Sequence, residues 1–507
     1  MQIFDSMLLL VLLAMLMVIY MPVGKRPSWL RFLPIVALVF AVIHFSIEGY
    51  RWQMVPAYLV LALVLLQVGW RYWKTNPVVK TGRWATIRRF SGTSLMLIVL
   101  LGSGLFSWFF PIFEQPQPPG PYAVGLTEFH MIDQSRAETY TADPSDKREL
   151  MVQAWYPAEP VKETGTSPYW RYASIRSAEL AKGLGMPPFL FSHLGRVPTC
   201  SYWDAPASSA QADYPVLIFS HGFGQGWAAQ NTSLMEALAS HGYIVFGIDH
   251  AYVGMATIYP DGRVAAFEAE TFSAMAEPPD PEVMAMFDAM MASTDWREQV
   301  ELFKKAMATL PYGTNDVMDD ALAIWAADQR FVLEEIGKLQ SGTWNNDQDN
   351  RFKGRMDLSR LGIFGMSFGG STSLENCVLD SRCKAGINMD GFKGRQMELP
   401  PLDRPFMFMN SENSLIFNAM YDIAKGPTYA VTVEGSTHFN YTDFSIVAPG
   451  YKLAGLLGPI DGYRMLEITE AYVLAFFDKY LKGEATPLLD TPASSYAEVE
   501  FKKKNTD

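Results

Sequence analysis

Cysteine is scarce in this sequence. The 507 residues contain three, Cys200, Cys377 and Cys383. Three cysteines are too few for a disulfide scaffold and do not form a set of metal ligands. We expect Cys377 and Cys383 to be buried free thiols. The alternative, outside the cytoplasm, is a disulfide between them.

Basic charge is also scarce beyond residue 113. Residues 1–113 carry ten Lys and Arg against Asp5 and Glu48, whereas the remainder carries 31 basic and 51 acidic residues. A surface that neutralises nucleic-acid phosphates needs clustered Lys and Arg. The acidic remainder therefore argues against DNA or RNA as a partner.

The N-terminal part lacks the marks of a cleaved signal peptide. No basic segment precedes the first apolar stretch, no small-residue cleavage site precedes Lys25, and three more apolar stretches follow. Each of the four is about long enough to cross a bilayer as a helix. The sequence thus predicts a four-span transmembrane anchor in residues 1–114, with spans at about 5–23, 33–48, 55–70 and 92–113.

Basic residues near membrane spans mark the cytoplasmic loops. They lie in the first and third loops, at Lys25, Arg26, Arg31, Arg71, Lys74, Lys80, Arg83, Arg88 and Arg89. Both termini and the large C-terminal part are therefore predicted to face away from the cytoplasm. Ionisable groups within the spans are few, with His44 and Glu48 close to one end, so an ion or proton pathway has little to be built from. We interpret the bundle as an anchor, with a small transporter or sensor as the alternative.

The segment 115–121, QPQPPGP, cannot continue a helix and predicts a stiff linker before a domain of residues 122–507. In that domain, short apolar runs alternate with helical patterns. The runs predict strands at 150–156, 216–219, 243–248, 361–364, 385–389, 405–409 and 429–433. Such alternation indicates an α/β fold with a mostly parallel central sheet and helices on its faces.

An insertion of unusual composition occupies about residues 251–320. Its apolar positions share one helical face, at Val283, Met286, Phe287, Met290 and Met291. A packed core helix and a lid or membrane-contacting flap are equally compatible with this pattern.

The motif Gly365-Met366-Ser367-Phe368-Gly369 matches G-x-S-x-G. The motif alone is a weak signal, but here it follows the apolar run LGIF and opens a helical pattern. This strand-turn-helix setting is typical of a nucleophilic serine in an α/β-hydrolase, where glycines allow the tight turn.

In that fold the serine is followed along the chain by the acid and then by the histidine. His438 is the only histidine after Ser367, and it lies just past a predicted strand. The acid must be a carboxylate at a strand end between the two, because it orients the imidazole. Asp390, directly after AGINM, fits best, and Glu412, one strand later, is the alternative.

A developing oxyanion needs backbone N–H donors. The fold takes one from the residue after the nucleophile and one from a loop after an earlier strand. Those residues are predicted to be Phe368 and Phe223. His221 in the same loop is interpreted as structural, since it precedes the serine.

At these residues the chain resembles the platelet-activating-factor acetylhydrolase family, the plasma type of lipoprotein-associated phospholipases and their bacterial relatives. The matching segments include RELMVQAWYPA at 148–158, YPVLIFSHGFG at 214–224, ASHGYIVFGIDH at 239–250, GMSFGG at 365–370, INMDGF at 387–392 and GSTHFNYTDF at 435–444. The resemblance spans roughly residues 120–485. It implies Asp390 rather than Glu412 as the acid, and calcium-independent hydrolysis of short or oxidised acyl chains from phospholipids. The four N-terminal spans and the Met-rich insertion depart from the plasma enzymes.

The sequence therefore predicts a membrane-embedded serine ester hydrolase, in a bacterial cell membrane, that forms an acyl-enzyme. We expect a lipid ester as substrate and no metal or organic cofactor. Soluble esters, polyesters or lactones are the alternative substrates, and a receptor or binding module on the same fold is the alternative of another class. The sequence gives no oligomeric state.

Overall fold

The fold is taken from a computed structural model. It describes residues 3–21, 26–73, 82–159, 165–272, 280–309, 314–344, 350–391, 399–412, 418–490 and 495–505. Among the basic residues that predict the membrane orientation, Lys25, Lys74 and Lys80 and the side chain of Arg71 lie outside the described part of the chain. The side chain of Met291, on the predicted apolar face of the insertion, also lies outside it.

Four helices precede the large domain, namely α1 (Ile3–Tyr20), α2 (Leu33–Ile47), α3 (Val55–Trp73) and α4 (Arg83–Phe109). Three segments are long and apolar enough to cross a membrane, at Ser28–Ile47, Trp52–Trp70 and Thr86–Phe109, whereas the apolar part of α1 is shorter, at Ile3–Val18. Helix α4 begins nine residues before the predicted span at 92–113 and ends four residues before the end of that span. By length and composition three helices could cross a membrane, and the four-span anchor stays a prediction.

The large domain alternates strands with helices, as the sequence pattern predicts. Its strands are β1 (Ala123–Ala137), β2 (Lys147–Ala158), β3 (Thr166–Pro168), β4 (Pro198–Trp203), β5 (Tyr214–Ser220), β6 (Ile244–Asp249), β7 (Ala256–Ile258), β8 (Val264–Ala266), β9 (Met356–Met366), β10 (Ala385–Met389), β11 (Phe406–Ser411), β12 (Thr428–Val433) and β13 (Val499–Lys504). Its helices are α5 (Ala173–Leu184), α6 (Thr232–Ser240), α7 (Pro281–Ala292), α8 (Trp296–Thr309), α9 (Thr314–Ser341), α10 (Phe368–Leu379), α11 (Asn418–Ile423), α12 (Phe444–Val447), α13 (Gly462–Phe477) and α14 (Pro487–Asp490).

Eleven strands form one sheet in the order β13-β12-β11-β10-β9-β5-β6-β2-β1-β4-β3. The six central strands, β12, β11, β10, β9, β5 and β6, are parallel to one another. Strand β13 pairs with β12 and strand β2 pairs with β6, both in antiparallel orientation. The carboxyl ends of β9, β10, β11 and β12 therefore lie at one edge of the sheet. Brief connections at that edge bring residues far apart in sequence close together.

Two apolar cores cover the two faces of the sheet. Strand β5 shows why, because Leu217 and Phe219 belong to one core and Val216 and Ile218 to the other. Alternate side chains of a strand point to opposite faces, so a strand covered on both faces reads as a continuous apolar run. The run YPVLIFS is buried at every position.

The insertion contains the hairpin β7-β8 and helices α7 and α8. Val283 and Met286 of α7 are buried against Ala306 of α8, with Phe287 at the edge of this cluster. The apolar face predicted from the sequence thus packs on a neighbouring helix. A role of the insertion as a lid stays a prediction.

Cys377 and Cys383 form a disulfide, with their Cα atoms 5.1 Å apart. The expectation of free thiols is therefore wrong for this pair. The bridge closes the short connection between α10 and β10, where Cys377 near the end of a helix and Cys383 before a strand point into the same core. Cys200 is the free cysteine of the described chain.

Candidate active site

Ser367 lies on a sharp turn between strand β9 and helix α10. Its backbone has φ 56° and ψ −120°, a combination that residues with a Cβ rarely adopt. The flanking glycines make the turn possible, since a Cβ on Gly369 would lie 2.0 Å from the Ser220 carbonyl oxygen and one on Gly365 would lie 2.3 Å from the Gly369 backbone. Steric contacts at this turn thus explain why the motif has glycine on both sides of the serine.

His438 lies in the loop that follows β12 and opens a short 3-10 turn, His438–Tyr441. Its Nε2 lies 2.9 Å from the Ser367 hydroxyl oxygen, and its Nδ1 lies 2.7 Å from an Asp390 carboxylate oxygen. With Nδ1–H donating to the carboxylate, the lone pair of Nε2 accepts the hydrogen bond from the serine. About 41% of the imidazole side chain is exposed, so a substrate or a water molecule can reach it.

Asp390 follows β10, the strand beside β9. Its carboxylate is 3% exposed and accepts hydrogen bonds from the Ser411 backbone N–H at 2.8 Å and from the Ser411 hydroxyl at 3.0 Å. The hydroxyl also lies 3.1 Å from the other carboxylate oxygen, which accepts from His438, so these donors hold the carboxylate in position. Glu412 is directed elsewhere, because its carboxylate accepts from the Gly435 backbone N–H at 2.8 Å. The structure therefore brings Asp390, and not Glu412, to the imidazole.

The two predicted oxyanion donors lie on adjacent segments. The Gly369 N–H donates to the His221 carbonyl at 3.0 Å, which ties the start of α10 to the loop after β5. The rings of Phe223 and Phe368 consequently lie 5.6 Å apart. This arrangement places both backbone segments beside Ser367, and the donation of their N–H groups to an oxyanion stays a prediction.

A buried polar network lies beside the loop that follows β5, and sequence reasoning missed it. His250 after β6 lies 2.9 Å from the Ser220 hydroxyl through Nε2 and 2.9 Å from Asp328 on α9 through Nδ1. Asp328 also accepts from the Arg148 guanidinium at 2.7 Å. The signal available in the sequence was the pair Asp249-His250 at a strand end, which has no motif of its own.

Electrostatics fix the charge states of this network. Burial lowers the pKa of His250 to about 4, so its imidazole is neutral at pH 7. Burial would raise the pKa of Asp328, but the Arg148 guanidinium and the His250 hydrogen bond hold it well below its usual range. The network therefore contains a carboxylate, a guanidinium and a neutral imidazole that all have partners.

His221 is buried in the loop after β5, where its ring nitrogens form hydrogen bonds with backbone groups. Its Nδ1–H donates to the Gly222 carbonyl at 2.7 Å, and its Nε2 accepts from the His250 N–H at 3.2 Å. Burial lowers its pKa to about 4. These contacts agree with the interpretation of His221 as a structural residue.

The arrangement around Ser367 can transfer an acyl group. An alcohol, an imidazole that accepts its proton and a buried carboxylate that orients the imidazole lie in hydrogen-bonded sequence. Among the residues that the structure describes, the one group of three side chains with converging metal-ligand atoms is Asp5, His44 and Glu48. That group lies in the N-terminal helices and not beside the serine.

Comparison with known proteins gives consistent matches. The family model of platelet-activating factor acetylhydrolase, isoform II, matches residues 109–272 and 332–486. A platelet-activating factor acetylhydrolase of Canis lupus familiaris is 25% identical over 392 residues, which are 72% of this chain and 77% of that protein. A probable 1-alkyl-2-acetylglycerophosphocholine esterase of Arthroderma benhamiae is 24% identical, over 77% of this chain and 94% of that protein. Among solved structures, a ferulic acid esterase from Streptomyces cinnamoneus aligns with a TM-score of 0.55 and 25% identity, covering 77% of this chain and 99% of that one.

Proposed function

Because the chain belongs to the platelet-activating factor acetylhydrolase, isoform II, family, we propose that it is a serine hydrolase of lipid esters. The favoured substrates are phospholipids with short or oxidised acyl chains. The observation that carries the proposal is the hydrogen-bonded series Ser367, His438 and Asp390 on the turn geometry described above.

In the first half of the reaction, the Ser367 oxygen attacks the ester carbonyl while His438 Nε2 takes the hydroxyl proton. The imidazolium that forms is stabilised by the buried Asp390 carboxylate. The negative oxygen of the tetrahedral intermediate is bound by the backbone N–H groups of Phe223 and Phe368. Collapse of the intermediate transfers the proton from Nε2 to the departing alcohol and leaves an acyl-enzyme.

In the second half, a water molecule takes the place of the alcohol. The same Nε2 accepts a proton from the water, whose oxygen attacks the acyl carbonyl. The acid is released, and the proton returns to the Ser367 oxygen. The exposure of the imidazole supports this step, since water must approach from the solvent side of the ring.

The position of the N-terminal helices supports a lipid as substrate. The His438 loop is bonded to the segment Pro449–Ala454 and its continuation, because the Thr437 hydroxyl donates to the Leu456 carbonyl at 2.7 Å. Gly450 of that segment lies against the ring of Phe109 at the end of α4, so closely that a Cβ would be 2.4 Å from it. We infer that the helices anchor the chain in a membrane, with the hydrolase domain on the extracytoplasmic side and its active-site loop near the end of α4.

The apolar surface beside the active site supports the same substrate class. Phe439, adjacent to His438, is exposed, and so are Leu453 and Leu456. Exposed apolar side chains on a catalytic loop and on the segment bonded to it favour an apolar substrate over a fully hydrated one.

A second candidate is hydrolysis of soluble esters. The likeness to a ferulic acid esterase favours it, since that protein is named for a phenolic ester. The chemistry at Ser367 is the same in both cases, and only the acyl and alcohol pockets differ.

A substrate panel separates the two. Purified full-length protein is assayed with vesicles containing a phospholipid with an acetyl group at the second position, with its long-chain counterpart, and with a feruloyl and an acetyl aryl ester. The proposal predicts the highest kcat/KM for the short-chain phospholipid and loss of all activities in Ser367→Ala. A preference for the soluble aryl esters would favour the second candidate, and full activity of Ser367→Ala would contradict both.

A further inference from the structure

The N-terminal helices contain a buried polar cluster at the end that faces the hydrolase domain. Asp5 of α1 and His44 of α2 are fully buried, and the side chain of Glu48, directly after α2, is 8% exposed. The sequence shows only isolated charges here, since these residues are up to 43 positions apart. Ionisable groups inside a helix bundle are costly and usually mark function.

Three atoms of this cluster converge. His44 Nδ1 lies 2.7 Å from one Glu48 oxygen and 3.6 Å from one Asp5 oxygen. These three atoms all lie within 4.8 Å of one another. Ligand atoms around a tetrahedral Zn²⁺ with bonds of about 2.1 Å are roughly 3.4 Å apart, so the observed spacings bracket the required one.

The opposite atom of each side chain is held by a different partner. His44 Nε2 lies 2.6 Å from the Tyr58 hydroxyl, and the second Glu48 oxygen accepts from the Phe4 backbone N–H at 3.0 Å. The second Asp5 oxygen pairs with the Arg51 guanidinium. Partners that orient ligands from outside in this way are typical of metal centres, where a histidine donates its other N–H and each carboxylate is hydrogen-bonded.

We propose that Asp5, His44 and Glu48 bind a divalent metal ion of the zinc class. One imidazole and two carboxylates suit Zn²⁺ and related first-row ions, whereas Ca²⁺ and Mg²⁺ prefer oxygen ligands alone. Water completes the coordination shell. The ion joins α1 to the end of α2, so it fastens the first helix to the bundle.

Charge supports a cation between the three atoms. When His44 donates its Nε2–H to Tyr58, the lone pair of Nδ1 faces two anionic oxygens, and this arrangement is repulsive unless a cation lies between them. Arg51 balances one of the two carboxylates, so the cluster retains one negative charge with a neutral imidazole. The competing arrangement is the other neutral tautomer, in which Nδ1–H donates to Glu48 and Nε2 accepts from the Tyr58 hydroxyl, and the experiment below distinguishes the two.

The site also contacts the hydrolase domain through the loop after Glu48. The Arg196 guanidinium of the hydrolase domain donates to the Tyr50 carbonyl and lies against Gly49. The rings of Trp52 and Phe189 meet in the same region, 5.2 Å apart. Metal binding at Glu48 therefore fixes a loop on which the hydrolase domain rests.

Metal content of the full-length protein in detergent tests the proposal. The protein is incubated with Zn²⁺, dialysed against metal-free buffer and analysed by inductively coupled plasma mass spectrometry. A parallel sample is loaded with Co²⁺, whose visible absorption reports inner-sphere nitrogen and carboxylate ligands. We expect about one Zn²⁺ per chain, a Co²⁺ absorption band that Zn²⁺ abolishes, and a higher melting temperature with metal than after chelation.

Variants locate the ion. Asp5→Asn, His44→Asn and Glu48→Gln are each expected to lose the bound metal and the Co²⁺ band. The matched control is His130→Asn, which removes a histidine that lies 2.7 Å from Glu149 on the hydrolase domain and should leave metal content unchanged. Ester hydrolysis by each variant shows that the hydrolase domain is folded.

Two results overturn the proposal. One is wild-type protein that retains no stoichiometric Zn²⁺ or Co²⁺ near neutral pH, which would leave a hydrogen bond from His44 Nδ1–H to Glu48 in place of the ion. The other is retention of the metal by the His44→Asn variant with an unchanged Co²⁺ spectrum, which would place the ion elsewhere. The wild-type measurement does not depend on the folding of any variant.

Discussion

Replacement of Asp390 by asparagine is expected to abolish most of the activity while preserving the fold. The Ser411 backbone N–H donates to one Asp390 oxygen, and the Ser411 hydroxyl lies within hydrogen-bond distance of both, so an asparagine keeps its carbonyl oxygen at the backbone N–H. Its NH₂ group then faces His438 Nδ1, where a carboxylate oxygen lies 2.7 Å away in the wild type. The amide donates to Nδ1, and the imidazole proton must move to Nε2.

That tautomer cannot act as the base. Nε2 would present a proton to the Ser367 hydroxyl instead of a lone pair, and the imidazolium would lose its buried counter-charge. We expect kcat to fall by about a thousandfold to ten-thousandfold, which corresponds to roughly 4–5.5 kcal/mol of transition-state stabilisation. The assay is steady-state hydrolysis of an acetyl ester, with the melting temperature as the measure of folding.

Glu412→Gln is the matched control because Glu412 was the alternative acid. Its carboxylate is exposed at the sheet edge and accepts from the Gly435 N–H, a bond that the glutamine oxygen can keep. Activity should remain close to that of the wild type. The reasoning is refuted if Asp390→Asn keeps more than about a tenth of kcat, a loss of less than 1.4 kcal/mol, or if Glu412→Gln shows the large loss instead.

Three further predictions concern packing and charge. Gly369→Ala should prevent folding or inactivate the protein, because the new Cβ would lie 2.0 Å from the Ser220 carbonyl oxygen. Gly337→Ala in α9, where the nearest atom to the new Cβ is 4.0 Å away, should stabilise the protein by up to about 1 kcal/mol. Thermal melts of the two variants and the wild type test both expectations. Asp328→Asn removes one of the two buried carboxylates that pair with Arg148, Glu138 being the other, and should lower the free energy of unfolding by about 3–5 kcal/mol. Asp261→Asn, in an exposed pair with Arg263, should leave stability nearly unchanged. Equal losses in denaturant unfolding would contradict this. Burial raises the pKa of Glu236 from 4.5 to about 8, so the folded protein binds a proton that the unfolded chain releases, and stability should decrease as pH rises from about 4.5 to 8. Glu236→Gln should flatten that decrease in melting curves recorded across this range, and an unchanged pH dependence would argue against a buried neutral carboxyl.

The positions of the predicted triad follow from local pattern and sheet topology together. The motif around Ser367 requires a strand, a turn and a helix, and each of these has its own signal in the sequence. The order of the three residues along the chain then leaves His438 alone. The choice between Asp390 and Glu412 as the acid needed the three-dimensional structure as well. Both residues follow strands that end at the same edge of the sheet, and only the directions of their side chains distinguish them.

Long-range pairings were harder to predict. The strand β13 and the short strands β3 and β4 extend the edges of the sheet, and their sequences lack the apolar runs of the buried strands, because edge strands are covered on fewer sides. The Cys377–Cys383 bridge was misjudged, since sequence spacing does not show that two Cβ atoms approach each other.

The N-terminal helices show the same limit of sequence reasoning. His44 and Glu48 were seen near one end of a span, but Asp5 and Arg51 came from other segments, and Tyr58 is an unremarkable residue in an apolar helix. Only the packing of α1 against α2 and α3 brings the five together. Clusters assembled from separate helices have no spacing rule that a single sequence can reveal.

The central claim is that His438 activates Ser367 as the nucleophile. The most direct test is the rate at which a fluorophosphonate probe labels the full-length protein, with the modified peptide identified by mass spectrometry. The account predicts a single adduct on Ser367 in the wild type and labelling slowed by about a hundredfold or more in His438→Ala, the loss typical of a missing general base. An adduct on another residue in a protein that turns over esters, or equally fast labelling of Ser367 without His438, would contradict it.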